Sequence, residues 1–222
     1  MKKILFEAVL WVLIIAPMLY LMQAWEALPD SVATHWGANG EPDGWSDRST
    51  LPWMIGGLSV GIYLLMLAIP YLDPRRRNLH ASERSYHHLR LVMQLMFAFV
   101  GFGIVRGAEL GTFDAGAWLM PGLFLFLAAI GNYMYRLRSN YFIGIRTPWT
   151  LEYPVIWERT HRLAGRMWFW IGIVGAIGAF LLRNDALAIW TVTLIVLMAG
   201  VPVVYSFILF KRGVGREAAH SS

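Results

Sequence analysis

The chain has 222 residues, of which 57% are hydrophobic and 15% charged, with a formal net charge of +5 and no cysteine. A soluble domain carries about 25% charged residues, so this composition argues against a water-soluble globule. Without cysteine there are no disulfides, thiolate metal sites or cysteine nucleophiles.

The charges cluster between long apolar runs. A spanning helix needs about 20 apolar residues, because the rise is about 1.5 Å per residue and the hydrocarbon core about 30 Å thick. Six runs meet or approach this: residues 4–25, 51–72, 91–110, 118–135, 167–182 and 187–210. They are continuous rather than alternating, which selects helices over a barrel. The first follows Lys2 and Lys3 but exceeds the roughly 7–15 residues of a secretory signal core, and no small-x-small cleavage site follows. It is therefore expected to be a retained anchor. The fold expected is an all-α, six-helix transmembrane bundle.

Sixteen of the 19 basic residues alternate onto one side of this topology, and only Arg48, Arg106 and Arg183 fall on the other. The positive-inside rule then predicts both termini in the cytoplasm. Trp25, Trp53, Trp118, Trp168 and Trp190 fall near span ends, where amphipathic rings prefer to sit. The expected organisation is a two-span unit over 1–80 with an external loop at 26–50, a four-span unit over 85–212, and a polar tail at 213–222. Gly57 and Gly61, Gly103 and Gly107, and the series Gly172, Gly175, Gly178 allow close helix approach, either within the chain or in a homodimer.

The first external loop, LPDSVATHWGANGEPDGWSDRS, is unusual for a connector. Gly37 and Gly40 favour tight geometry, and Pro42-Asp43-Gly44 reads as a turn. Three readings compete. One is a folded loop with Trp36 and Trp45 as its small core. Another is a ligand surface of His35, Trp36, Gly40, Glu41, Pro42, Asp43, Gly44 and Trp45, with aromatic anchors and acidic character. The third is a metal site of His35, Glu41, Asp43 and Asp47, whose spacing fits no standard calcium or zinc pattern.

The second connection carries Arg75, Arg76 and Arg77, which suit lipid headgroups, and His80, His87 and His88. Adjacent histidines on a helix do not share a face, which argues against joint metal ligation. Inside the spans, Glu7 lies near the inner end of the first and Arg106 and Glu109 near the outer end of the third, spaced to pair. No ionisable residue falls at a predicted bilayer centre, which disfavours proton-coupled transport. No HExxH, GxSxG or phosphate-loop motif is present.

The fourth connection, 136–166, joins an extended or turning first half to a helical second half. Pro148 pushes Thr147 out of the α region, and Pro154 fits only a first helical turn. From Pro154 to Ala164 a helix is expected to lie along the membrane surface, with Glu158 and Arg162 paired and Trp157 and His161 on one face. It reads as a lipid-contacting elbow with His161 capping or interfacial, as a docking platform for a partner, or as a catalytic site using His161, Glu158 or Arg146.

At these two loops the chain resembles the SdpI family of bacterial immunity proteins. The external loop is similar to the LPxxxPxHW…GxPDGW pattern of an uncharacterised N-terminal domain found in that family, with Ala33 where proline is common. NYFIGIRTPWTLEYPVIWERTHRLAG is similar to the family's C-terminal signature, carried by Asn140, Gly144, Arg146, Thr147, Pro148, Trp149, Thr150, Trp157, Thr160, His161, Arg162 and Gly165. The resemblance implies a multi-pass protein of the bacterial cytoplasmic (inner) membrane that confers resistance to a secreted peptide toxin. It also implies signalling through a cytoplasmic transcriptional repressor, without cofactor or direct nucleic-acid contact. The alternatives are a membrane-embedded metal-dependent enzyme and a small peptide or lipid transporter.

Overall fold

The structure is a computed structural model describing residues 2–111 and 115–215. Most of the third connection, Arg216 and the rest of the tail lie outside the described residues. In chain order come α1 (Lys2–Ala24), strands β1 (Ser31–Trp36) and β2 (Pro42–Asp47), and a π-helical turn (Trp53–Gly57) running into α2 (Leu58–Leu72). Short α3 (Arg76–Ala81) precedes α4 (Glu83–Leu110) and α5 (Ala115–Met134). Short α6 (Pro148–Glu152) precedes α7 (Pro154–Leu181) and α8 (Asn184–Lys211). Among the described residues, six helical stretches are long and apolar enough to cross a membrane, as the apolar runs predict. The fold is an all-α transmembrane bundle with one small two-stranded sheet.

Two helices start well before their apolar runs. α4 begins at Glu83 and α7 at Pro154, not at 91 and 167. Hydropathy marks only the part of a helix that hydrocarbon can accept, whereas the backbone ladder continues into polar surroundings. Consequently the surface helix expected from Pro154 to Ala164 is not separate. It forms the first turns of α7, entered through Pro154 at a position where no N–H partner is needed.

α7 packs most extensively on α5 and then on α8, while α1 packs on α4, and α4 in turn on α5. A Cβ on Gly172 would lie 2.7 Å from Ala128 Cβ, and one on Gly131 would lie 2.8 Å from the Gly165 carbonyl oxygen. α5 and α7 therefore cross nearly backbone to backbone. Gly175 likewise faces Phe124, and Gly178 faces Trp190, so the three-residue glycine series serves packing within the chain.

The two ends of the bundle differ in character. The hairpin end holds β1, β2 and a cluster of Leu21, Leu28, Val32, Leu51, Ile55, Ile104 and Val105. The opposite, arginine-rich end gathers the second and fourth connections: Asn78 Nδ2 donates to the Ser139 carbonyl at 2.8 Å and the Arg138 N–H to Ser82 Oγ at 3.1 Å.

Arg90 belongs to α4 rather than to a connection, and its side chain is only 5% exposed. Its Nη1 and Nη2 donate to the two Glu7 carboxylate oxygens, each at 2.8 Å, and the Tyr63 hydroxyl donates to the same carboxylate at 2.8 Å. A fork-to-fork pair suits apolar surroundings because both oxygens are satisfied at once. It ties α1 to α4 and α2. Further along α4, Arg106 and Glu109 pair at 2.8 Å as their spacing suggests, and the Tyr20 hydroxyl joins them from α1.

Glu7→Gln leaves the buried Arg90 guanidinium uncompensated and is expected to cost about 3 kcal/mol of stability, read as a lower thermal-unfolding midpoint in detergent. The double variant Glu7→Gln, Arg90→Met should lose less, because neither charge is then stranded. Equal losses would show that packing, not the charge pair, sets the stability here.

Candidate functional site

At the hairpin end, β1 and β2 pair antiparallel with register Ser31↔Asp47, Ala33↔Trp45 and Trp36↔Pro42, with an irregularity at His35 and Gly44. The reversal lies over Gly37–Gly40, not at Pro42-Asp43-Gly44. The Gly40 N–H donates to the Gly37 carbonyl at 2.9 Å, and Gly40 sits at φ +82°, a conformation open to glycine. Pro42 instead opens β2, where a missing donor matters least. Gly44 faces His35 so closely that a Cβ there would lie 2.9 Å from His35 Cβ.

The two tryptophans are not a shared core. Trp36 packs half-buried against the hairpin-end cluster, whereas Trp45 is 58% exposed. Val32 and Leu28 are the buried residues that seat the loop. A groove of about 230 Å³ runs between hairpin and α4, lined by Val32, Ala33, Trp36, Trp45, Ile104 and Gly107 among others.

Glu41, Asp43 and Asp47 are exposed on the same hairpin, though none of them lines the groove. Their carboxylates go separate ways. Asp43 meets His35 Nδ1 at 2.5 Å, Glu41 accepts from Asn39 Nδ2 at 2.9 Å, and Asp47 accepts the Ser49 N–H at 2.7 Å. Hydrogen bonds from Ser49 hold the Asp47 carboxyl below its ordinary pKa. The metal arrangement of His35, Glu41, Asp43 and Asp47 is not formed, and no cluster of three such ligands occurs among the described residues.

At the arginine-rich end the signature residues converge into one knot. Asn140 is fully buried; its Oδ1 accepts the N–H groups of Phe142 (3.0 Å) and Ile143 (2.7 Å). Gly144 follows at φ +116°, which brings the backbone onto His161. The Ile145 N–H then donates to His161 Nε2 at 3.0 Å, while His161 Nδ1 bonds the Trp157 carbonyl at 2.8 Å. An imidazole that accepts at Nε2 must be neutral and carry its proton on Nδ1. The ring is fully buried and stacks on Trp157 with centroids 3.9 Å apart. It is therefore a buried structural acceptor that holds the preceding segment against α7. The shared face of Trp157 and His161 is as expected from their spacing.

Thr147 caps α6, accepting the Thr150 N–H at 3.3 Å, and Thr150 Oγ1 accepts the Thr147 N–H at 2.8 Å. Pro148 occupies the first helical position. Trp149 leaves the knot and reaches α8: Nε1 donates to Ser206 Oγ at 2.6 Å, and the ring stacks on Phe210. Trp157 Nε1 donates to the Leu137 carbonyl at 2.8 Å. Thr160 is buried, and Gly165 sits at the α5 crossing. Arg146 is exposed yet tied by Nη1 to the Tyr141 carbonyl at 2.6 Å. Arg162 is exposed on α7, and no ion pair joins it to Glu158 among the described residues.

Beside the knot opens a cavity of about 1250 Å³. Arg75, Arg136, Arg138, Arg162 and Arg166 line it, with Glu152 and Glu158 as its acidic members. Among these, the sequence pattern singles out Arg162 as a signature residue, Glu158 as a catalytic candidate and Arg75 as a headgroup contact. It misses Asp73, which is 2% exposed and accepts the N–H groups of Arg75 (2.6 Å) and Tyr141 (2.9 Å). The Asp73-Pro74 pair after a span was the available signal, since aspartate before proline favours a local turn. His87 and His88 point to different neighbours, Phe6 and Tyr133.

A Cβ at Gly144 would fall on His161 Nε2 and in a backbone region that L residues avoid. Gly144→Ala should therefore cost about 2 kcal/mol from the backbone alone and expose the segment before α6. Limited proteolysis in detergent should cut that segment faster than in the parent. Unchanged proteolysis and midpoint would show that the contact is dispensable.

The SdpI/YfhL protein family profile matches residues 136–206, and the domain of unknown function DUF1648 matches residues 12–60. Immunity protein SdpI of Bacillus subtilis (strain 168) is 22% identical over 190 residues, covering 85% of this chain and 87% of the relative. No solved structure matches. The first match takes in the knot, the second the groove-forming hairpin. The chain is thus similar to the SdpI/YfhL protein family over its signature region, and to an immunity protein of that name over most of its length.

Proposed function

We propose that this chain is a multi-pass immunity protein of the bacterial cytoplasmic membrane that meets a secreted, cationic amphipathic peptide at its hairpin end. The arginine-rich end faces the cytoplasm, where cationic side chains remain hydrated and near anionic headgroups. The observation that carries the reading is Trp45. It is a large aromatic side chain that lines a groove yet is left 58% exposed, on a hairpin that also exposes Glu41, Asp43 and Asp47. An exposed aromatic anchor at a groove, on a hairpin that also carries exposed carboxylates, suits a peptide that is both basic and amphipathic. The similarity to an immunity protein supports the same reading.

Occupancy is signalled to a cytoplasmic repressor at the arginine-rich end. α4 supplies the route, since Ile104 and Gly107 line the groove while Tyr86 and Leu89 pack at the other end. Such signalling requires two arrangements of the bundle with different peptide affinity.

Cells carrying Trp45→Ala, or Glu41→Gln with Asp43→Asn and Asp47→Asn, should tolerate about tenfold less peptide toxin than cells with the parent chain at equal expression, the effect of losing one anchor. Full protection by both variants would remove the hairpin as the working surface. Orientation has its own test, because the chain lacks cysteine. A membrane-impermeant maleimide applied to intact spheroplasts should label Glu41→Cys and spare Arg77→Cys; the reverse pattern would invert the proposal.

A further inference from the structure

We propose that the arginine-lined cavity at the end of the bundle is a binding site for a phosphate-bearing anion, and that its ligand is the headgroup of an anionic phospholipid. The cavity is roomy, about 1250 Å³, and its charge is unbalanced, with five arginines against Glu152 and Glu158. A single drug-sized ligand needs about 300–1,000 Å³, so a glycerophosphate headgroup fits with its glycerol.

Two of the arginines are held in place before any ligand arrives. Arg75 donates to Ser139 Oγ and lies 4.9 Å over the Tyr141 ring. Arg136 Nε donates to the Tyr135 hydroxyl at 2.7 Å. The other three, Arg138, Arg162 and Arg166, form no ion pair among the described residues. Arg162 and Arg166 stand one turn apart on the same face of α7, and like charges at that spacing repel. An anion between these walls relieves the repulsion, and the guanidinium fork matches two phosphate oxygens.

The cavity also sits at the depth a lipid headgroup occupies. Arg166 immediately precedes the apolar run that begins at Met167, and Tyr135 immediately follows α5. Tyr135, Leu151 and Pro154 give the lining an accessible apolar part that glycerol and the first acyl carbons can contact, which inorganic phosphate cannot use. Arg76 and Arg77 are exposed on the same end but outside the cavity, which separates a defined site from general surface attraction.

Thermal unfolding of the purified full chain in neutral detergent tests this, with added phosphatidylglycerol, phosphatidylcholine, or sodium phosphate at matched ionic strength. Phosphatidylglycerol should raise the midpoint by several degrees and phosphatidylcholine should not. The shift should survive in Arg76→Gln with Arg77→Gln and vanish in Arg138→Gln with Arg162→Gln. Native mass spectrometry of the same samples should count bound phosphatidylglycerol in the parent and its loss in the cavity variant, whatever that variant's own midpoint. Stabilisation by sodium phosphate as large as that by the lipid would overturn the lipid assignment. A shift and bound lipid that persist in the cavity variant, or no response to either anion, would overturn the site.

Discussion

Between α5 and α6 the chain runs without a regular hydrogen-bond ladder, and much of it is shielded from solvent. Buried backbone N–H groups must find partners, most of all beside a bilayer where water cannot supply them. Here side chains do so. Asn140 serves its own segment, Asp73 and Ser82 reach in from the second connection, and His161 reaches out from α7. These acceptors come from three parts of the chain, so the path of the segment depends on their assembly. The positions of Arg75, Arg138 and Trp157, and with them the cavity, follow from that path.

The bundle beneath is held by a second polar device. Glu7 and Arg90 satisfy each other across α1 and α4, and Tyr63 adds α2 to the pair. Lipid offers no hydrophobic gain for bringing helices together, so close backbone crossings and matched polar groups must fix their mutual positions. The α5–α7 crossing at Gly131, Gly165 and Gly172 does this by contact, and the Glu7–Arg90 pair does it by charge. α4 carries Arg90, packs on α5, and runs from the groove beside the hairpin to the arginine-rich end.

Several features were readable from local pattern. The six spans, the Arg106–Glu109 pair and the shared face of Trp157 and His161 follow from composition or from helical spacing. Others misled for physical reasons. Pro42-Asp43-Gly44 has turn chemistry, but Gly37–Gly40 takes the reversal because Gly40 accepts a positive φ and Pro42 can open a strand. His161 reads as an interfacial residue, since a histidine in an apolar helix has no evident partner in its own segment; its acceptor role depends on Ile145, which only the knot brings near. Trp45 looks like a core residue by type, yet the pleat and register of the hairpin turn it outward.

Sequence alone determined which stretches hydrocarbon accepts, where helices must run and which loops carry unusual chemistry, because length, apolarity and residue spacing are properties of contiguous segments. Tertiary structure decided which polar groups satisfy one another, as with Asp73 and Tyr141, His161 and Ile145, or Glu7 and Arg90. It also decided that arginines from three separate segments face one cavity. Those pairings join residues up to 83 positions apart, and no local periodicity encodes a contact between them.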